Sequence, residues 1–145
     1  MKLTKQQIKE VVDNLDGGMR CFYNLKSGVI KILSNYENMM IADEELWEEE
    51  IEELDRNWDD YFEFEALTSR ESFLIMADFV DMVDDQILQN KLVNALNRPK
   101  PFRNFKYHID DSGAYRQKWF DYKEMRYIEA VKQQIEVYNK ASDAE

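Results

Sequence analysis

The sequence predicts an α+β fold: a small antiparallel sheet, an N-terminal hairpin plus a third strand, packed with several helices that dominate the C-terminal two thirds. Three observations predict it. Apolar residues recur at helical spacing behind capping residues. Two β-branched and aromatic runs flank a short Gly-containing turn, and one run of alternating apolar and acidic residues follows them.

Taken in order, Thr4 and Gln7 form a capping-box pattern, with Ile8, Val11, Val12 and Leu15 then falling on one helical face. Gly17-Gly18 ends that helix. Residues 20–34 read as the hairpin, with runs 21–25 and 29–33 around Lys26-Ser27-Gly28. Asp43 is placed to cap a helix whose Trp47, Ile51, Leu54 and Trp58 make an apolar stripe, with Glu48, Glu49, Glu50, Glu52 and Glu53 opposite. Residues 61–67 read as the third strand. There Phe62, Phe64 and Ala66 alternate with Glu63 and Glu65, and the acidic face is expected to be wet. Thr68 and Glu71 make a second capping box, opening a helix with Phe73, Ala77, Val80 and Val83 inward. Asp84 or Asp85 caps the next, with Leu88, Leu92, Ala95 and Leu96 inward. The segment Arg98-Pro99-Lys100-Pro101 breaks the helical run. Phe102, Phe105 and Ile109 suggest a short helix. A long last helix begins near Ser112 and carries Phe120, Tyr127, Val131, Ile135 and Tyr138 on one face.

At 145 residues, with 44% apolar and 13% aromatic side chains, the chain is expected to fold as one domain, 1–145. No run is long and apolar enough for a membrane span, and the amphipathic start lacks the apolar stretch of a secretory signal. A single Cys excludes an internal disulfide. The expectation is a cytoplasmic protein without membrane attachment. The net charge of −11 is unevenly spread. Residues 1–36 have 6 basic and 3 acidic side chains, residues 37–85 have 2 and 19, and residues 86–145 have 11 and 8. Two readings of that segregation stay open: the acidic middle packs beside the basic last third, or it forms an exposed face for a basic partner.

Candidate chemistry is sparse. His108 is the one imidazole available as a general base, and a lone His is more often structural. Cys21 sits among apolar neighbours and reads as a buried small hydrophobe. There is no nucleophile elbow, P-loop or dinucleotide turn in a chain with four Gly. No catalytic residue, cofactor or metal site is assigned. Asp78, Asp81 and Asp85, at i, i+3 and i+7, could share one helix face and hold a cation for a metal-dependent hydrolase; pairing with basic residues and helix capping is the simpler explanation.

The stretch 98–106 mixes cations with rings. Phe102 and Phe105, three apart, are expected to point inward together, leaving Arg98, Lys100, Arg103 and Lys106 outside. Cations beside rings can hold phosphate while a ring stacks on a base, although the net charge opposes a polyanion.

Phe79, Asp84-Asp85, Ala95-Leu96, Arg98, Phe102, Arg103, Phe105, Lys106 and Trp119-Phe120 occur in that order. Over about residues 61–139 this resembles an uncharacterised family of small bacterial proteins with a Gly-Arg-Gly-Ala-Phe-Arg-Arg-Phe-Lys stretch. Asn97, Pro99 and Pro101 stand where that family has Gly, Gly and Ala, so the joint is expected to be stiffer here. The resemblance implies no activity, and it directs attention to the joint. The role expected is a non-enzymatic binding or regulatory one in the bacterial cytoplasm. The acidic face, or Arg98, Lys100, Phe102, Arg103, Phe105 and Lys106, would meet a protein partner, self-association included. The rivals are nucleic-acid binding at the same joint and hydrolysis at the Asp row.

Overall fold

The computed structural model describes residues 1–34 and 41–144, with backbone alone for residues 41–47. Its elements run α1 (Lys5–Asp16), β1 (Met19–Asn24), β2 (Ile30–Ser34), α2 (Ile41–Arg56), a 3-10 turn (Trp58–Asp60), β3 (Tyr61–Phe64), α3 (Ser69–Asp81), α4 (Gln86–Leu96), α5 (Pro101–Asp110) and α6 (Ala114–Asp143). This is the expected α+β class. The chain divides into two compact units: residues 1–66 with 128–145, and residues 67–127. The long helix α6 contributes to both.

The first unit is built on the sheet β2-β1-β3, antiparallel throughout, with Cys21 opposite both Ile32 and Phe64. The hairpin turn is made by Asn24, whose side-chain oxygen accepts from the N–H groups of Lys26 (2.9 Å) and Ser27 (3.0 Å). Gly28 follows at φ +76°, a left-handed conformation that glycine adopts without a Cβ penalty. Alternation then sorts the strands' side chains. On one face lie Cys21, Tyr23, Phe62 and Phe64, with α1 packed along β1. Phe22, Leu33 and Tyr61 face Ile51 and Leu54 of α2. The expected wet face of β3 therefore carries a helix, and Glu63 there is tied to Arg20 by two hydrogen bonds of 2.8 Å. The strand also stops at Phe64 rather than running to residue 67. Beyond it Gln134 of α6 takes over the pairing, accepting from the Glu65 N–H and donating to its carbonyl, each at 2.8 Å.

α1 matches expectation in full: Thr4 and Gln7 close the capping box, and Ile8, Val11, Val12 and Leu15 are buried. α2 begins at Ile41, so Asp43 lies in its first turn instead of capping it. The expected inward position of the Trp47 side chain lies outside the described residues. Trp58 is a correction. It is 64% exposed, because the helix ends at Arg56 and the 3-10 turn rotates the ring off the stripe.

The second unit is helical around one core: Ile75, Met76, Phe79, Val80, Val83, Leu88, Leu92, Phe105, Ile109 and Trp119. Thr68 and Glu71 form the second capping box. Asp85 caps α4 by accepting from the N–H groups of Ile87 and Leu88, and Leu88, Leu92 and Ala95 are buried. In α6 the ring buried in this core is Trp119, and Tyr127 is buried as expected; Phe120, expected inward, is 38% exposed. Trp119 sets edge-to-face against Phe79 (5.3 Å between centroids) and Phe105 (4.8 Å), so the core already holds the ring that its neighbour was expected to supply.

Candidate partner-binding face

The joint forms because α4 cannot continue. Asn97 caps its end, and Pro99 and Pro101 lack the N–H groups that a helix needs. Pro101 instead occupies the first turn of α5, where a missing N–H costs nothing. Between the two prolines Lys100 adopts φ 59°, ψ 55°, a left-handed conformation that costs a residue with a Cβ about 1–2 kcal/mol. Asn104 braces the turn: its side-chain amide donates to the Pro99 carbonyl (3.0 Å) and its backbone N–H to the Lys100 carbonyl (3.2 Å).

α5 then sorts its side chains. Pro101, Phe105 and Ile109 are spaced i, i+4 and i+8, and the last two are 1% exposed. Phe102 is a correction to the expected inward pair. It follows Pro101 by one residue, a rotation of about 100° about the axis, and stands 44% exposed at the edge of the stripe. Outside lie Phe102, Arg103, Lys106 and Tyr107, the last 72% exposed, with Arg98 and Lys100 exposed in the joint before them. Tyr107 was missed in the sequence, although its position four residues after Arg103 puts it on the same face.

Among the described residues, none of Arg98, Lys100, Arg103 and Lys106 has a carboxylate within 4.0 Å. The sequence explains this. Residues 86–109 hold five basic side chains and no acidic one, and the next acid, Asp110, is engaged by Arg116 at 3.3 Å.

The acidic middle finds its cations elsewhere. Lys31 of β2 reaches Glu50 (2.8 Å) and Glu53 (2.6 Å) on α2, and the Tyr61 hydroxyl donates to Glu53. Burial works against the Lys31 charge, but the hydrogen bonds to the two glutamates outweigh it and raise its pKa. Lys31 and Tyr61 in turn hold Glu53 below its ordinary value. This cluster was also missed; its signal was one lysine within the apolar run 29–33. Arg20 pairs with Glu63 and Lys26 with Asp60. The expected compensation by the last third is seen in the second unit at Arg126, which bonds Asp78 at 2.8 Å.

The Asp row does not assemble. α3 stops at Asp81 and Asp85 begins the next helix, so the three do not share one face. Asp78 is held by Arg126, Asp85 serves as a cap, and Asp81 is exposed. Asp84 accepts from the Tyr115 hydroxyl, which lowers its pKa, in a cleft of about 360 Å³ with Lys118 and Asp121. Among the described residues no three metal-ligating side chains converge. Cys21 is fully buried, its thiol set toward the Val11 carbonyl; burial first, then Glu10 and Glu63, push its pKa up to about 11. It is protonated, and therefore a poor nucleophile, at neutral pH. His108 is half-buried, with its ring edge-on to Tyr107. Among the described residues no helix is long and apolar enough to cross a membrane.

The arrangement that stands out is thus a cationic and aromatic helix face. The chain belongs to the uncharacterised protein family UPF0158, whose model matches residues 3–140. Comparisons with curated proteins and with solved structures found no match.

Proposed function

We propose that the protein is a non-enzymatic binding or regulatory protein of the bacterial cytoplasm, acting as one domain and taking an acidic protein partner on the outer face of α5. The observation that carries this reading is the set of four exposed cations, Arg98, Lys100, Arg103 and Lys106, lacking carboxylate partners among the described residues beside a 44% exposed phenyl ring. Cations that served internal balance would sit against the chain's many carboxylates, as Lys31 and Arg20 do. Phe105 serves from below: buried against Trp119, it fixes the helix that presents the other residues. The free buried thiol of Cys21 fits a reducing compartment.

Fluorescence anisotropy with poly-glutamate and, separately, with a single-stranded oligonucleotide tests this at low salt, where exposed charges are least screened. Wild type should bind poly-glutamate, and R103E/K106E should lose that binding while keeping its thermal stability. Stronger binding of the oligonucleotide, lost in the same variant, would transfer the face to nucleic acid, for which Phe102 offers a stacking ring. Retained poly-glutamate binding in the variant removes the face as a site.

A further inference from the structure

The acidic partner has a candidate within the chain's own sequence. α2 sorts its carboxylates into two sets. Glu50 and Glu53 turn to Lys31 on the sheet. Glu48, Glu49, Glu52 and Asp55 are exposed and have no cation within 4.0 Å among the described residues. Glu48, Glu52 and Asp55 stand at i, i+4 and i+7, one row about 10 Å long. Glu48 and Glu52 are a like-charge i, i+4 pair, which destabilises a helix unless a cation relieves it.

We infer that the outer acidic row of α2 in one copy docks on the basic, aromatic face of α5 in a second copy. This rests on the reading of α5 as an acid-binding face and names its occupant. Charge complementarity supports it: a row of unpaired carboxylates and a helix face of unpaired cations exist in the same chain, each exposed. Two helices packed side by side lie 8–10 Å apart, close enough for Arg103 and Lys106 to reach Glu48 and Glu52. Phe102 and Tyr107 would lose exposed surface in the contact, which contributes the apolar part of the attraction. Two copies of net charge −11 repel at long range. That repulsion is screened beyond about 8 Å at physiological salt, whereas ion pairs in contact are screened far less.

Sedimentation velocity on the full chain tests the inference, with E48K/E49K/E52K and R103E/K106E as variants. Wild type should dimerise with rising concentration and dissociate in about 1 M salt. Each variant alone should bind itself at least about tenfold more weakly, since each places like charges across the contact. Their equimolar mixture should recover the dimer, because the reversed row of one then meets the reversed face of the other while the native row meets the native face. Should the acidic-row variant fail to fold, R103E/K106E mixed with wild type gives the same reading: the pair must dimerise through the one native contact left. A wild-type chain that stays monomeric, or variants that associate as wild type does, overturns the inference. Poly-glutamate binding distinguishes the two levels. Its survival in a strictly monomeric protein removes the second copy as occupant and leaves the acid-binding face standing; its absence removes both.

Discussion

The two units handle charge in opposite ways. Residues 1–66 with 128–145 carry 9 basic and 21 acidic side chains, while residues 67–127 carry 10 and 9. In the acidic unit the scarce cations of the sheet are consumed: Arg20 bonds Glu63 twice and Lys31 holds two glutamates at once. In the neutral unit cations are plentiful, yet four of them stand without carboxylates among the described residues. Overall charge balance therefore does not predict local pairing. What decides it is whether a cation is placed on an element that faces carboxylates. Lys31 is, because strand alternation turns it toward α2; Arg103 and Lys106 are not, because the helical period turns them away from the core.

The largest effect expected separates the two rings of the joint. Phe105→Ala removes a side chain 1% exposed and set edge-to-face against Trp119, and should cost about 3–5 kcal/mol. Phe102→Ala should cost less than about 1 kcal/mol, since nearly half of that ring is already in water. Urea unfolding of both variants checks this. Similar losses would mean that Phe102 is core after all, and the outer face of α5 would shrink to its cations.

A smaller effect is expected at Lys31. Lys31→Met leaves Glu50 and Glu53 without their cation and should cost about 1 kcal/mol near neutral pH, a modest figure because water reaches the glutamates. Glu53 has its pKa lowered in the folded state, so its contribution is complete above its ordinary value of 4.5 and is lost as pH falls through the lower folded value. Lys31 has its pKa raised, so its share is complete below 10.5 and is lost as pH rises beyond that. The stability gap between wild type and Lys31→Met should therefore be flat between those limits and should narrow below about pH 4.5. Urea titrations over that range read it directly. A gap that persists into strong acid would assign the loss to the Lys31 ammonium over the Tyr61 ring, 5.9 Å from its centroid, instead of to the two glutamates.

These contrasts also show where sequence reading succeeds. Both capping boxes, the Asp85 cap, the hairpin and the inward stripe of α1 follow from contacts within a few residues, and all are present. The misplaced rings, Trp58, Phe102 and Phe120, each lie at or just past an element's end or beside a better-placed neighbour. Periodicity names a stripe; it does not say where the stripe stops, or which of two adjacent aromatics the core admits. The Asp row failed for the same reason, since i, i+3, i+7 spacing means one face only while the helix lasts. The cations of the joint were legible as a cluster. Their lack of partners was not, because that depends on where every carboxylate ends up.

The smallest effect tests the joint that presents those cations. Lys100 holds φ 59° immediately before Pro101, and a Cβ is unfavourable there. Lys100→Gly should remove that penalty. It also frees the unfolded chain, which offsets part of the gain, so a net stabilisation of about 0.5 kcal/mol is expected, a rise of about 1–2 °C in melting temperature. Lys100→Ala is the control: it removes the same charge, keeps the Cβ, and should not raise stability. If glycine and alanine act alike, the change comes from the lost charge and the turn is unstrained. If glycine alone stabilises, the joint keeps a lysine at a position that glycine would fill more favourably, and a cation held against that cost is what a recognition face requires. The same pair measured against poly-glutamate then completes the argument, since both should bind it more weakly than wild type although only one of them folds more stably.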